Sequence, residues 1–113
     1  MKLFTPKYLK DLTEEAKISA RLRQHRNVHQ SFNEPAQRLF NAIEPGSYIR
    51  PHRHKSDPRD ELLVAIRGLM ALIVFNSEGQ VEKIVRFGTE RFGGECCVAV
   101  EITPSVWHTV IAL

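Results

Sequence analysis

The stretch GSYIRPHRHKSDPRDELLVAIRG, residues 46–68, combines metal-ligand residue types with turn-forming glycines. His52 and His54 are two residues apart, and on a β-strand such side chains point to one face about 7 Å apart. Arg53 then points away. Glu61 follows a six-residue loop and begins an apolar run, so an antiparallel return of the chain would bring its carboxylate back beside the histidines. An exposed polar loop is the common alternative for an isolated His-x-His pair.

A fourth candidate ligand lies near the end of the chain. His108 follows the turn-like Thr103-Pro104-Ser105 and begins the last apolar run, 106–113. Three imidazoles and one carboxylate suit a single divalent transition metal, with open positions for a substrate or dioxygen. Zn, Fe, Mn and Ni all accept such nitrogen and oxygen ligands, so the residues do not select one of them.

The rest of the chain predicts one helix followed by short strands. Thr5 is suited to cap a helix from Pro6 to about Arg21, because proline at the first helical position loses no hydrogen bond. Asn76-Ser77-Glu78-Gly79 is typical of a hairpin tip, and Phe92-Gly93-Gly94 predicts a break. Seven strands are predicted, at 36–43, 47–54, 62–66, 69–75, 81–87, 97–102 and 106–113. This pattern favours a mainly β fold, an antiparallel sandwich or small barrel.

The order of these residues resembles two cupin motifs. Gly46, His52-x-His54, Glu61 and Gly68 are similar to the first, and TPSVWH (103–108) is similar to the second. Together with RLRQHRNVH (21–29) and QRLFNAIEPGSYIRPHRH (37–54), they make the chain resemble the WbuC-type cupin-fold metalloproteins. The spacer before Glu61 is longer than in the usual motif, and Ser105 stands where the second motif has glycine.

This resemblance implies a fold, a domain layout and a ligand set. The fold would be a cupin-type antiparallel β-barrel or jelly roll with an N-terminal α-helix. Residues 1–30 would hold the helix and a basic connector within the same domain, and 31–113 the barrel. The family usually continues past this length, which leaves two readings open: the last strand closes the sheet, or the barrel is truncated at its C-terminus. The family's metal ligands fall on His52, His54, Glu61 and His108.

Further residues are candidates for contact with a substrate. Tyr48 and Arg50 share strand parity with the two histidines, and Arg38 and Asn41 lie on a segment whose facing is ambiguous. An inward arginine would pair with a carboxylate or phosphate, so an anionic ligand fits, whereas an outward arginine would be solvated.

Two histidines follow the predicted helix. His25 and His29 lack paired spacing and are interpreted as surface residues, although His29 and Tyr48 remain candidates for a base.

Composition limits the classes of partner. The chain has 113 residues and a net charge of +3, with 12 Lys/Arg against 7 Asp/Glu in residues 1–60. A nucleic-acid binder would need a broader basic face and a reading element, so none is predicted. The apolar stretch 62–75 is interrupted by Arg67 and Gly68, which predicts no membrane span. The first residues contain no apolar signal region, and we expect a cytoplasmic protein.

The predicted function is that of a metal-binding protein that binds or acts on a small molecule. A sugar or sugar nucleotide in surface-polysaccharide biosynthesis is implied by the WbuC-type resemblance alone. A metal-dependent isomerase, an Fe(II)-type dioxygenase and a non-enzymatic binding module all remain open. The apolar last strand would leave an unpaired edge, which predicts a homodimer.

Overall fold

The computed structural model describes residues 1–89 and 96–113 and confirms a mainly β chain with an N-terminal helix. All of its ladders between strands are antiparallel. The elements within these residues are α1 Pro6–Ile18, β1 Arg23–Asn27, β2 Leu39–Ile43, β3 Glu61–Val64, β4 Leu69–Phe75, β5 Val81–Gly88, β6 Ala99–Ile102 and β7 Trp107–Ala112. They form two compact units, residues 1–48 and 49–113. No helix of the described residues is long and apolar enough to cross a membrane.

The helix α1 begins as predicted and ends three residues early. The Thr5 hydroxyl accepts a hydrogen bond from the Tyr8 backbone N–H at 3.2 Å, so the predicted cap is confirmed. The helix stops at Ile18 because Ser19 is extended, with φ −69° and ψ 137°. Leu12 and Ala16 form its buried side.

The basic segment after the helix is a strand, β1, which the sequence interpretation missed. It pairs with β2 from Arg23 opposite Ile43 to Asn27 opposite Leu39. Its five residues, RQHRN, have no apolar alternation, so nothing in their own pattern indicated a strand. The strand is instead fixed by its partner and by contacts with the helix. Arg26 lies 2.6 Å from the Glu15 carboxylate and 4.8 Å from the centre of the Tyr8 ring.

The second unit, 49–113, contains the other five strands described. The order β5-β4-β7 forms one sheet, and β3 pairs with β6 in another. The apolar core of this unit is built from alternate residues of both sheets. Its buried members are Ala65, Leu72, Phe87 and Ile102.

The predicted hairpin between β4 and β5 is confirmed. The Asn76 N–H donates to the Gln80 carbonyl at 2.9 Å, and Gly79 has φ +81°, a conformation that favours glycine. The break predicted at Phe92-Gly93-Gly94 lies outside the described residues.

The predicted strand 47–54 is not a regular strand, and this correction matters for the site. Gly46, at φ +89°, ends a turn, and Pro51 has no N–H to donate to a ladder. One residue of the segment still pairs: His52 forms an antiparallel bridge with His108.

Candidate metal centre

Backbone pairing brings the three predicted histidine ligands together. His52 and His108 exchange two backbone hydrogen bonds of 2.9 Å, which places their side chains on one face. The His54 N–H donates to the Pro104 carbonyl at 3.0 Å and extends the same alignment. One ring nitrogen from each histidine lies within 4.8 Å of the other two, close enough for one metal ion after small side-chain rotations.

The turn before β7 supports this arrangement. The Val106 N–H donates to the Thr103 carbonyl at 3.2 Å, closing a turn over Pro104 and Ser105. Proline suits the second position of such a turn, because its fixed φ is the one required there. Ser105 is not among the described residues with positive φ, so this turn does not need the glycine of the cupin motif. The turn predicted at Thr103-Pro104-Ser105 is therefore confirmed.

Two of the rings are oriented by backbone carbonyls. His52 Nδ1 lies 2.9 Å from the Arg50 carbonyl, and His108 Nδ1 lies 2.9 Å from the Val106 carbonyl. A carbonyl oxygen only accepts, so in the neutral ring Nδ1 carries the proton and Nε2 has a free lone pair. A hydrogen bond from Nδ1 to a carbonyl is usual for a histidine that binds metal through Nε2, since it fixes both the tautomer and the direction of the ring.

Glu61, the predicted fourth ligand, lies beside two of the histidines. Its Oε2 lies 2.9 Å from His54 Nε2 and 3.4 Å from His108 Nε2. Although these separations are short, neither Glu61 Oε2 nor His54 Nε2 has a partner in suitable hydrogen-bond geometry, and both atoms are shielded from solvent. Two ligand atoms about 2.1 Å from one ion would lie roughly 3.0–3.4 Å apart. The separations and orphaned atoms therefore fit a divalent transition metal.

The route by which Glu61 arrives differs from the predicted one. Its strand β3 pairs with β6, from Glu61 opposite Ile102 to Val64 opposite Ala99, and not with the histidine segment. The carboxylate thus reaches the histidines from the end of another sheet. The loop 55–60, longer than in the motif, spans the two positions.

The site is closed on one side and open on the other. The His108 side chain is 2% exposed, whereas those of His54 and Glu61 are 41% and 35% exposed. The cluster therefore has a buried side at His108 and a partly exposed side at His54 and Glu61, although Glu61 Oε2 and His54 Nε2 are themselves shielded from solvent.

The carboxylate and the buried imidazole shift one another's pKa. The contact with His108 lowers the pKa of Glu61 against the effect of burial, and the charges of His54, His108 and His52 lower it further. Burial alone would lower the pKa of His108, but the Glu61 carboxylate and the Val106 carbonyl outweigh burial and raise it. In the metal-free protein, Glu61 is therefore negative and His108 readily protonated, and a metal would have to displace that proton.

The opposite face of the histidine segment carries a different pair. The Arg53 guanidinium lies 5.1 Å from the centre of the Trp107 ring, in a cation–π contact. Each residue is next to a candidate ligand in sequence and points away from it. Arg53 therefore faces away from the cluster, as strand alternation predicted.

The predicted substrate residues are all exposed. Arg50 belongs to the unit that holds the cluster, and its backbone carbonyl orients His52. Arg38, Asn41 and Tyr48 belong to residues 1–48, and Tyr48 is 72% exposed. Their contact with a substrate stays a prediction.

The surface interpretation of His29 was wrong, whereas His25 is exposed as predicted. His29 is 8% exposed, and its Nδ1 lies 2.9 Å from the Arg38 carbonyl. Its Nε2 is buried without a hydrogen-bond partner. The burial follows from the folding of residues 28–38 back on themselves, for which local spacing gave no signal.

The fold and cluster define a mainly antiparallel β protein with three histidines placed to hold a metal ion. The chain belongs to the family described as "Domain of unknown function (DUF6016)", whose model matches residues 4–87. That match includes His52, His54 and Glu61, while His108 lies beyond it. No curated protein and no solved structure matches the chain.

Proposed function

We propose that this protein is a cupin-type metalloprotein that holds one divalent transition metal and binds a small molecule at the metal's open side. The ligands would be His52, His54, Glu61 and His108. The observation that carries the proposal is the cluster of three ring nitrogens within 4.8 Å of one another. The Glu61 Oε2 atom lies 2.9 Å from His54 Nε2 and 3.4 Å from His108 Nε2, and neither Glu61 Oε2 nor His54 Nε2 has a hydrogen-bond partner.

The cupin jelly roll is part of the proposal. Its support is the antiparallel pairing of all described ladders and the arrival of the ligands from three chain segments. The glycines that bound the motif, Gly46 and Gly68, have φ of +89° and +73°, conformations that explain the choice of glycine there.

When bound, the metal would act as a Lewis acid toward an oxygen of the small molecule. The protein's own residues prepare the site. The Arg50 and Val106 carbonyls hold two rings with Nε2 directed inward, and buried His108 fixes the inner side. The partly exposed His54 and Glu61 border the side at which the small molecule would enter.

A sugar or sugar nucleotide is the ligand class we propose to test first, on the basis of the WbuC-type resemblance. Turnover of that ligand would establish an enzyme, while saturable binding without turnover would establish a binding module.

The decisive experiment measures metal content. Protein purified without added metal, or stripped and reloaded with Zn, Fe, Mn or Ni and then dialysed, should contain about one ion per chain by elemental analysis. His52→Ala and His108→Ala should lose it, and His25→Ala, which removes an exposed histidine, should retain it. Retention by all three variants, or no ion in reloaded wild type, would refute the metal site. Sugar nucleotides are then screened against loaded and stripped protein.

A further inference from the structure

A second cleft lies within residues 1–48, separate in sequence from the candidate metal ligands. It has a volume of about 300 Å³ and is open to solvent. Its lining comes from the end of the helical segment, the start of β1 and the turn after β2. The lining residues are Ala20, Arg21, Leu22, Arg23, Gly46 and Tyr48.

The backbone around this cleft is held in an unusual conformation. Leu22 has φ +53° and is the sole residue other than glycine with positive φ in the described ranges 1–89 and 96–113. Such a conformation is costly for leucine and persists when surrounding contacts impose it, often at binding sites. Those contacts are a hydrogen bond from Leu22 N–H to Ser19 and one from Glu44 N–H to the Leu22 carbonyl, both 2.9 Å.

A further contact fixes the opposite wall. The Ser47 hydroxyl is buried and donates to the Arg21 carbonyl at 2.7 Å. The Leu22 side chain reaches to 3.6 Å from the point where a Cβ would stand on Gly46. The cleft is therefore preformed by the backbone, which reduces the entropy lost when a ligand binds.

The charge of the cleft is positive and unbalanced. Arg23 donates to the Tyr48 carbonyl at 2.6 Å, which holds its guanidinium at the cleft, and the group has further N–H donors. The Arg21 side chain is exposed. Within residues 1–89 and 96–113, neither arginine is in an ion pair, whereas nearby Arg26 is paired with Glu15 at 2.6 Å.

We propose that this cleft binds the anionic group of a small molecule, a carboxylate or a phosphate, through Arg21 and Arg23. Guanidinium groups match the planar, two-oxygen geometry shared by both anions. The Tyr48 side chain, 72% exposed at the rim, offers a hydroxyl donor and a ring face to the rest of the molecule. This site does not depend on the proposed metal function.

Arginines that follow a helix also interact favourably with its C-terminal dipole. That role and anion binding predict different results, because loss of a dipole contact changes stability alone. The 2.6 Å bond from Arg23 to Tyr48 also directs that guanidinium to the cleft lining.

The test titrates metal-stripped, full-length protein with inorganic phosphate and, separately, with malonate, at constant ionic strength. Backbone amide NMR locates the site and gives the dissociation constants. We expect saturable shifts centred on residues 20–23 and 46–48. Saturable shifts with phosphate alone, with malonate alone or with both support the proposal and identify the anion class.

Matched variants separate the cleft from general positive charge. Arg21→Ala should weaken binding at least about 10-fold, the scale of a charge-assisted hydrogen bond, as should Arg23→Gln. Lys10→Ala, which removes an exposed cation of α1, should change it less than about 2-fold. Arg21 is exposed, so its variant carries the test if Arg23→Gln unfolds. Absence of saturable shifts with both anions, or equal weakening in Lys10→Ala, would overturn the proposal.

Discussion

Replacement of His54 by alanine should separate the role of the metal from the stability of the fold. The His54 side chain is 41% exposed, and its Nε2 faces Glu61 at 2.9 Å. The backbone hydrogen bond from His54 N–H to Pro104 does not need the side chain. Without metal, the variant should therefore lie within about 0.5 kcal/mol of the wild type, as is usual for substitutions away from the core.

The effect on metal binding should be much larger. Loss of an outer hydrogen-bond partner of a metal ligand costs about 10- to 100-fold in affinity, and removal of a ligand should cost at least the upper figure. Metal at 100 times its dissociation constant stabilises a folded protein by about 2.7 kcal/mol. At the same concentration, a 100-fold weaker site contributes about 0.4 kcal/mol. For a domain near this size, those values correspond to rises in Tm of about 10–20 °C and 2–3 °C.

The assay is thermal unfolding followed by circular dichroism. Wild type, His54→Ala and His25→Ala are each measured with EDTA and with metal at about 100 times the wild-type dissociation constant. Wild type and His25→Ala should show the large rise, and His54→Ala the small one. An equal rise in all three proteins would remove His54 from the ligand set.

The metal-free baseline tests a second part of the reasoning. A chain of 113 residues lies above the size at which metals are usually required for folding, and unit 49–113 has its own apolar core. EDTA-treated wild type should therefore remain folded at room temperature. If it and His54→Ala are both unfolded there, the metal is structural, and the proposed open functional site loses its main support.

Three further predictions concern protonation, packing and assembly. In EDTA-treated protein, the Glu61 carboxylate should stabilise the fold until pH falls through its pKa, which is lowered from 4.5. Protonated His108 should stabilise the fold until pH rises through its pKa, which is raised from 6.5. The free energy of unfolding should thus be greatest between pH 4.5 and 6.5, the ordinary pKa values of the two groups. Glu61→Gln should flatten this dependence on pH. An unchanged dependence in that variant would contradict the pairing of Glu61 with His108. Gly88→Ala should destabilise the protein by about 1–3 kcal/mol in urea unfolding, because the new Cβ would stand 2.9 Å from the Gly68 carbonyl oxygen. An unchanged stability would show that the backbone can separate there. Light scattering should show a homodimer at tens of micromolar protein, a range in which weak association is detectable. The reasons are that Leu62 on β3 is 59% exposed and that the last strand lies at the edge of its described sheet. A protein that remains monomeric there would count against the prediction.

The sequence predicted elements whose cause is local. Thr5 and Pro6 define the start of the helix because capping requires residues a few positions apart. The limits of β4 agree with the predicted 69–75, since an apolar run between turn residues has few alternatives. The one-residue separation of His52 and His54 likewise predicted a shared face, and their ring centres lie 5.0 Å apart.

Other features came from contacts between distant segments. The polar strand β1 exists because β2 supplies its hydrogen-bond partners, and His29 is buried because the loop after β1 returns to it at Arg38. Neither partner is visible in the residues themselves.

The candidate site shows the same division. The residue types and their order predicted the four candidate ligands, but pairing between distant segments brings them together. Glu61 arrives from a strand paired with β6, and the bridge between His52 and His108 replaces the regular strand that the sequence predicted. The sequence by itself determined the chemistry available, because residue identity fixes donor atoms and pKa ranges. The tertiary structure decided which of these atoms converge and which are buried. Both depend on pairing between distant residues, Glu61 with Ile102 over 41 residues of chain and His52 with His108 over 56.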